Sequence, residues 1–221
     1  MNTNAGVDEK IFEYKTGTLP NDFNWKRNFT STQLLKLSKN VLVNRCGSAF
    51  WPVLGAMILW SIPNAIPVVN YMIMLFGIYF YIGLMRFHLN IVRNEKFDFS
   101  TIWSGFSTHL TLIPLGVGVL IMLATWGGLI LLIIPGLYFN IKFCQSIMIM
   151  IDNPKLGSID VMKESWRLTD GFEWKIVGLW FHCIWMFLLM LITIGIASYW
   201  LLPRLSVAFA MLYENMKAVN K

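Results

Sequence analysis

Residues 110–139 read LTLIPLGVGVLIMLATWGGLILLIIPGLYF and contain no charged side chain. As one continuous helix this stretch would be about 45 Å long. That length exceeds the ~30 Å hydrocarbon core of a bilayer but is too short to cross it twice. We therefore expect the chain to bend between Gly127 and Gly136, and the second helix to continue to Asp152 to complete its own crossing.

The rest of the chain has the same apolar character. Its 221 residues are 56% hydrophobic and 14% charged, whereas a typical soluble domain is about 25% charged. So few polar side chains cannot cover a water-soluble surface, but a surface that faces lipid needs none. The composition predicts an all-α polytopic transmembrane helical bundle of about six spans.

Apolar runs place these spans at about 46–62, 66–85, 110–131, 135–151, 176–196 and 198–214. Residues 1–28 are expected to form a flexible cytoplasmic tail, 29–216 the membrane domain, and 217–221 a second cytoplasmic tail. Amphipathic patterns predict cytoplasmic surface helices near 31–44, 99–107 and 158–170. In the last of these, Ile159, Met162 and Trp166 are expected to form the apolar face, between a Ser158 N-cap and a Gly171 stop.

The distribution of positive charge predicts the orientation. Of the eighteen Lys and Arg residues, all but Lys142 and Arg204 lie in the segments 1–45, 86–108, 152–175 and 215–221. The intervening turns contain none. Because cytoplasmic loops are enriched in Lys and Arg, we expect a multi-pass membrane protein with both termini in the cytoplasm.

Nothing in the sequence indicates catalysis. HExxH, GxSxG and P-loop motifs are absent, so we expect no enzymatic activity and no metal or cofactor. His88 and His109 are expected at solvated cytoplasmic ends of spans, and His182 is expected to bond a neighbouring helix. The three cysteines are interpreted as buried free thiols.

The most unusual position is Lys142, which lies ten residues before Asp152 and therefore near mid-bilayer in the predicted fourth span. A cation there must pair, lose its charge or face water. With Asn140 and Gln145 it forms a candidate intramembrane polar site. One interpretation is a polar cavity for an anionic headgroup or solute, and the other is a snorkelling or structurally paired lysine. Arg204 raises the same question, and snorkelling to the outer interface is expected for it.

A second candidate site is a cytoplasmic interface at Lys163, Trp166 and Arg167. The expected partners are membrane lipids, chiefly anionic ones, together with a membrane protein partner or a second copy of the chain. Runs of five like charges are absent, so the positive charge is interpreted as topological and no nucleic acid is expected.

Residues 132–181, LIIPGLYFNIKFCQSIMIMIDNPKLGSIDVMKESWRLTDGFEWKIVGLWF, resemble a group of uncharacterised prokaryotic polytopic membrane proteins. Their relatives include the membrane domain of some glycerophosphoryl diester phosphodiesterases. Residues 93–106, RNEKFDFSTIWSGF, resemble a cytoplasmic loop of the same group. The resemblance covers about residues 30–216 and implies a six-helix bacterial inner-membrane protein with no established activity. Because the phosphodiesterase catalytic domain has no counterpart here, it implies no hydrolysis.

Two functional hypotheses follow. The first is a non-enzymatic integral membrane scaffold or accessory subunit that contacts lipid. The second is a small transporter or lipid-handling protein with a polar cavity around Lys142. Substitution of Lys142 distinguishes them, since a cavity residue and a structural pair respond differently to its loss.

Overall fold

The structure is a computed structural model, and it describes residues 23, 25, 29–43, 55, 67–96, 98–108, 112–131, 133–193 and 197–220. All regular elements in this part of the chain are helices, which confirms the predicted all-helical class. The predicted first span (46–62, apart from Gly55), His109 and Cys46 lie outside the described residues. The helices are α1 Ser31–Val43, α2 Pro67–Arg93, α3 Phe99–Thr108, α4 Leu112–Leu131, α5 Ile133–Phe143, α6 Ser146–Asp152, α7 Ser158–Thr169, α8 Glu173–Ile192 and α9 Ser198–Val219.

The helix bounds follow the apolar runs, with two corrections. The helix at the second predicted span does not end near Arg86 but continues to Arg93, where Asn94 leaves it with φ of 58°. The predicted fourth span is not one helix to Asp152, because turns at Cys144 and Gln145 separate α5 from α6. The expected bend near Pro135 is present, since α4 ends at Leu131 and α5 packs back against it.

Helix α1 packs against protein. A reciprocal pair of hydrogen bonds between Thr30 and Gln33 caps its N-terminus, with Thr30 N donating to Gln33 Oε1 at 3.0 Å. Its apolar side contacts α8 and α9, and Leu34 and Leu37 are fully buried there. This face was expected to lie on a membrane surface, but the structure shows that other helices of the chain cover it.

Part of the predicted flexible tail is folded. Phe23 and Trp25 pack against the hydrophobic core, and Phe23 stacks on Phe29 with ring centroids 5.6 Å apart. The Asn215 side chain of α9 donates a hydrogen bond to the Trp25 carbonyl oxygen. The folded part of the chain therefore begins before residue 29.

Helix α7 turns a different face to the core than its pattern predicted. Ile159 is exposed, while the buried residues are Val161, Met162, Ser165, Leu168 and Thr169. Gly157, not Ser158, is the N-cap residue, and Ser158 Oγ donates to the Ile113 carbonyl oxygen of α4 at 3.2 Å. The predicted stop is confirmed, because Gly171 follows the C-cap residue Asp170 with φ of 79°.

Glycines allow two helix pairs to approach closely. A Cβ atom at Gly83 of α2 would collide with the Ile102 carbonyl of α3, and one at Gly105 would collide with the Tyr79 carbonyl. In the α4–α5 hairpin, a Cβ at Gly128 would lie 2.7 Å from the Gly136 Cα and N atoms. Backbone therefore contacts backbone at both crossings.

The buried core is concentrated at one end of the long helices. It includes residues 82–92 of α2, the end of α9 from Val207 to Met216, and the start of α8 up to Leu179. Helices α6 and α7 pack into the same region. The remainder of α8 and the middle of α4 instead carry exposed large apolar side chains.

Among the residues that the structure describes, no single helix is by itself both long enough and apolar enough to cross a membrane. The consecutive segments Ser158–Thr169 and Glu173–Leu189, which meet at 95°, satisfy the length and hydropathy requirement together, and Leu112–Gly128 is a shorter apolar helix.

The neighbouring glycines of α4 provide a matched test of close packing. We predict that Gly128→Ala lowers the free energy of unfolding by about 2 kcal/mol, because the methyl group must displace the α5 backbone. Gly127→Ala has nothing within 4 Å of its new methyl group, so it should leave stability unchanged or raise it by up to ~1 kcal/mol. Thermal unfolding of the purified proteins in detergent, followed by tryptophan fluorescence, measures both. Equal effects at the two positions would contradict the packing assignment.

Candidate functional site

Lys142 is fully buried and forms ion pairs with the junction between α7 and α8. Its Nζ atom bonds the Asp170 carboxylate and lies 2.6 Å from Glu173 Oε1. The same ammonium group lies over the rings of Tyr138 and Trp166, 5.5 and 5.4 Å from their centroids. The Lys142 side chain is 0% exposed, whereas those of Asp170 and Glu173 are 66% and 30% exposed. The lysine is therefore structurally paired, and its acidic partners remain hydrated.

The backbone at Lys142 is held by the same neighbour. Ser165 Oγ and Thr169 Oγ1 of α7 donate to the Lys142 carbonyl oxygen at 2.8 and 3.3 Å. These hydroxyls cap the C-terminal end of α5, where helical carbonyls lose their usual partners. The interruption between α5 and α6 therefore coincides with a side-chain cap supplied by α7.

The three residues of the predicted polar site do not form one stripe. Asn140 lies at a cavity, Lys142 points to α7 and α8, and Gln145 is buried at the turn before α6. Two residues apart on a helix means about 200° apart around its axis, so Asn140 and Lys142 occupy opposite sides. Lys142 does not line the cavity at Asn140, which is described below.

The three residues of the predicted cytoplasmic interface also do not share one surface. Lys163 and Arg167 are exposed, and Arg167 pairs with Glu164 at 2.6 Å. Trp166 instead packs into an aromatic cluster with Tyr138, Phe139 and Phe143, at centroid distances of 5.7 to 6.1 Å. Only the two cations remain on an outward face.

An ion cluster that sequence reasoning missed is centred on Asp152, at the end of α6. Arg93 of α2 donates to both Asp152 carboxylate oxygens at 2.8 Å and also bonds Glu214 at 2.6 Å. From α9, Tyr213 Oη donates to Asp152 Oδ2 at 2.9 Å, and Lys217 Nζ lies 2.5 Å from it. The cluster joins three helices that are distant in sequence. One indication of this cluster was present in the sequence, namely that each of its charged residues lies at a predicted cytoplasmic end of a helix.

These contacts decide the protonation state of the cluster. Burial alone would raise the pKa of Asp152, but hydrogen bonds from Arg93 and Lys217 outweigh it and lower the pKa from 3.8 to about 2. Burial disfavours the charged form of Arg93, yet its bonds to Asp152 and Glu214 raise its pKa overall. Asp152 and Arg93 therefore both stay charged at neutral pH.

A cavity of about 660 Å³ lies between α2, α5, α6, α8 and α9. Its wall is mainly apolar, with Tyr81, His88, Asn140 and Ser206 as residues that carry hydrogen-bonding groups. This volume and lining are typical of a small-molecule site. The residues that line it are Gly77, Phe80, Tyr81, Leu84, Met85, His88, Asn140, Cys144, Ile147, Met148, Trp180, Leu202, Pro203, Leu205, Ser206 and Phe209.

Three predicted environments need correction. His88 is not at a solvated interface but is 1% exposed, with Nδ1 2.7 Å from the Leu84 carbonyl oxygen. His182 bonds Gly178 of its own helix at 2.8 Å and not a neighbouring helix. Arg204 does not snorkel outward, since its Nε donates to the Leu35 carbonyl oxygen of α1 at 3.2 Å.

Within the described residues, no group of three or more His, Cys, Asp or Glu side chains is placed to hold a metal ion.

Comparison with known proteins identifies the family to which the chain belongs. The chain belongs to the family described as "Protein of unknown function (DUF975)", whose model matches residues 35–220. No curated protein and no solved structure matches the chain.

The Lys142 cluster predicts an asymmetric response to substitution. Lys142→Met should change the free energy of unfolding by less than about 1.5 kcal/mol, because an apolar side chain of similar volume fits the aromatic pocket and the exposed acids are rehydrated. The double variant Asp170→Asn, Glu173→Gln should cost about 3 kcal/mol or more, because it leaves a buried cation without a counter-charge. Thermal unfolding in detergent measures both. A larger loss for the lysine variant than for the double variant would contradict this arrangement.

The Asp152 cluster predicts a stability that depends on pH. The native pKa of Asp152 lies below its ordinary value, so its stabilisation is complete above pH ~4 and is lost as the pH falls towards 2. Asp152→Asn should cost about 2 kcal/mol at neutral pH, and this difference should disappear near pH 2. Unfolding midpoints measured across this range test it, with the exposed Glu95→Gln as the control. A constant difference between the wild type and Asp152→Asn at all pH values would contradict the assignment.

Proposed function

We propose that this protein is a non-enzymatic integral membrane scaffold or accessory subunit of the bacterial inner membrane. It contacts lipid and a membrane protein partner or a second copy of itself, and its termini are cytoplasmic. The proposed relation to the membrane domain of glycerophosphoryl diester phosphodiesterases rests on the sequence resemblance and brings no hydrolysis with it.

The observation that carries the proposal is the outward apolar surface of α8. Beyond Leu179, eight large apolar side chains of this helix are between 43% and 77% exposed. They are Phe181, Ile184, Trp185, Phe187, Leu188, Leu189, Leu191 and Ile192. Exposed apolar surface of this extent requires lipid or a partner to cover it. The middle of α4, with Met122, Leu123 and Trp126 exposed, repeats the pattern.

The placement of charged residues supports the proposed orientation, in which the termini are cytoplasmic. The Asp152 cluster joins the ends of α2, α6 and α9, and the Lys142 cluster involves the α7–α8 junction. Both clusters use residues of, or next to, the segments that the positive-charge count assigns to the cytoplasm. Water at that end would solvate the charges, while lipid would cover the apolar lengths of α4 and α8.

The geometry favours a scaffold over a transporter for polar solutes. Such a transporter needs a polar group that faces a water-filled path. Lys142 is instead neutralised by two carboxylates, and the described cavity is mainly apolar. The polar-cavity hypothesis around Lys142 therefore has no geometric support.

Membrane location and orientation are tested directly. The protein should stay in the membrane pellet after alkaline carbonate extraction. A periplasm-dependent reporter fused after Pro135 should be active, whereas one fused in the 152–175 loop should be inactive. Release by carbonate, or the reverse reporter pattern, would overturn the proposal.

Lipid contact is tested by co-purification. Exposed cations near a membrane contribute about 1 kcal/mol each to binding anionic lipid, so Lys163→Gln should lower retained anionic lipid about fivefold. Lys142→Met removes the same formal charge from a buried, neutralised position and should leave the retained lipid unchanged. High salt should remove the lipid from the wild type. Retention that is insensitive to both salt and Lys163 would refute the electrostatic contact.

A further inference from the structure

The cavity between α2, α5, α6, α8 and α9 has in its wall a buried polar side chain with an unused hydrogen-bonding atom. His88 is 1% exposed and lines the cavity. Its Nε2 atom is buried and has no hydrogen-bond partner within the described part of the chain. Leaving such a group unpaired destabilises the folded protein, and a ligand that donates a hydrogen bond to it would remove that cost.

The contact at Nδ1, on the other side of the His88 ring, determines which hydrogen-bonding group the ligand must carry. Nδ1 lies 2.7 Å from the Leu84 carbonyl oxygen. A carbonyl only accepts, so Nδ1 carries the hydrogen and donates. In a neutral ring, the form that burial favours, Nε2 is then an acceptor. It requires a donor, such as a hydroxyl group.

The shape and lining of the cavity define the rest of the ligand. Along α2 the wall runs from Gly77 to His88, eleven residues or about 16 Å of helix. Leu84, Trp180 and Phe209 contribute to an apolar wall. Asn140 adds an amide group to the wall, which can accept a hydrogen bond from a headgroup or donate one to it.

We propose that this cavity binds one chain of a neutral, hydroxyl-bearing lipid, with the hydroxyl group donating to His88 Nε2 and the hydrocarbon chain against the α2, α8 and α9 walls. This proposal rests on the proposed function only in that a membrane location would supply the lipid. Apolar contact alone does not select among lipids, because the bilayer is equally apolar. The hydrogen bond to His88 supplies the discrimination, since a polar site rejects analogues that leave it unpaired.

Two brominated probes test the proposal in detergent, where membrane insertion plays no part. Dibrominated octadecanol carries the hydroxyl donor, and methyl dibromostearate has a similar chain without one. Bromine quenches nearby tryptophan fluorescence, and Trp180 lines the cavity. The alcohol should quench saturably with an affinity about three- to tenfold higher than the ester. Trp180→Phe should abolish the saturable component.

The role of His88 is isolated by its variants. His88→Phe keeps an aromatic ring but removes the acceptor, so it should abolish the preference for the alcohol, while His88→Gln, which retains an acceptor, should restore part of it. If His88→Phe does not fold, Ser206→Phe fills the cavity from α9 and should remove quenching by both probes. Equal affinities for the two probes in the wild type, or a preference that survives His88→Phe, would overturn the proposal. A protein that resists carbonate extraction but shows neither effect would leave the scaffold proposal standing and eliminate this one.

Discussion

The Asp152 carboxylate is the contact on which the packed end of the molecule depends. It accepts from Arg93 of α2 and from Tyr213 and Lys217 of α9, so that one side chain on a seven-residue helix joins two of the longest helices. Alternative packings would leave these charges partly buried without their counter-charges. The cluster therefore contributes mainly to the specificity of helix packing, because it fixes the register of α2 and α9 against α6. The buried apolar side chains around it supply most of the stability.

Charge and apolar surface are segregated along the helices. The Lys142 cluster has its cation inside and its carboxylates towards solvent, which keeps the cost of desolvation low for the acids. Beyond the core, α8 presents its apolar side chains outward. The two ends thus suit two different surroundings, and the proposed scaffold function assigns water to one and lipid to the other. The cavity at His88 lies between α2, α5, α6, α8 and α9, and the lipid chain proposed for it would bind inside the molecule as well as at its surface.

Sequence patterns predicted those features that are set locally. Apolar run lengths located α4, α8 and α9, and Gly171 marked the end of α7, because each depends on residues within a few turns. The grouping of Asn140 with Lys142 failed for a geometric reason, since proximity in sequence does not place them on one helix face. The alternative of a structurally paired Lys142 is the one that the structure shows. The Asp152 cluster was missed because its partners come from positions 93 and 213–217, and a single sequence holds no signal of such distant pairing. His88 shows the same limit: its position indicated an interface, but α2 continues beyond that point and buries it.

The distance between Asp152 and its partners on α9 also constrains the order of assembly. Tyr213 and Lys217 follow it by 61 and 65 residues, so the ribosome must complete α7, α8 and most of α9 before they emerge. During that interval only Arg93 is available to neutralise the carboxylate. Docking of α9 is therefore a late, non-local event that closes the nascent protein, and a chain stalled before this point would expose an incompletely neutralised ionic centre to quality-control proteases.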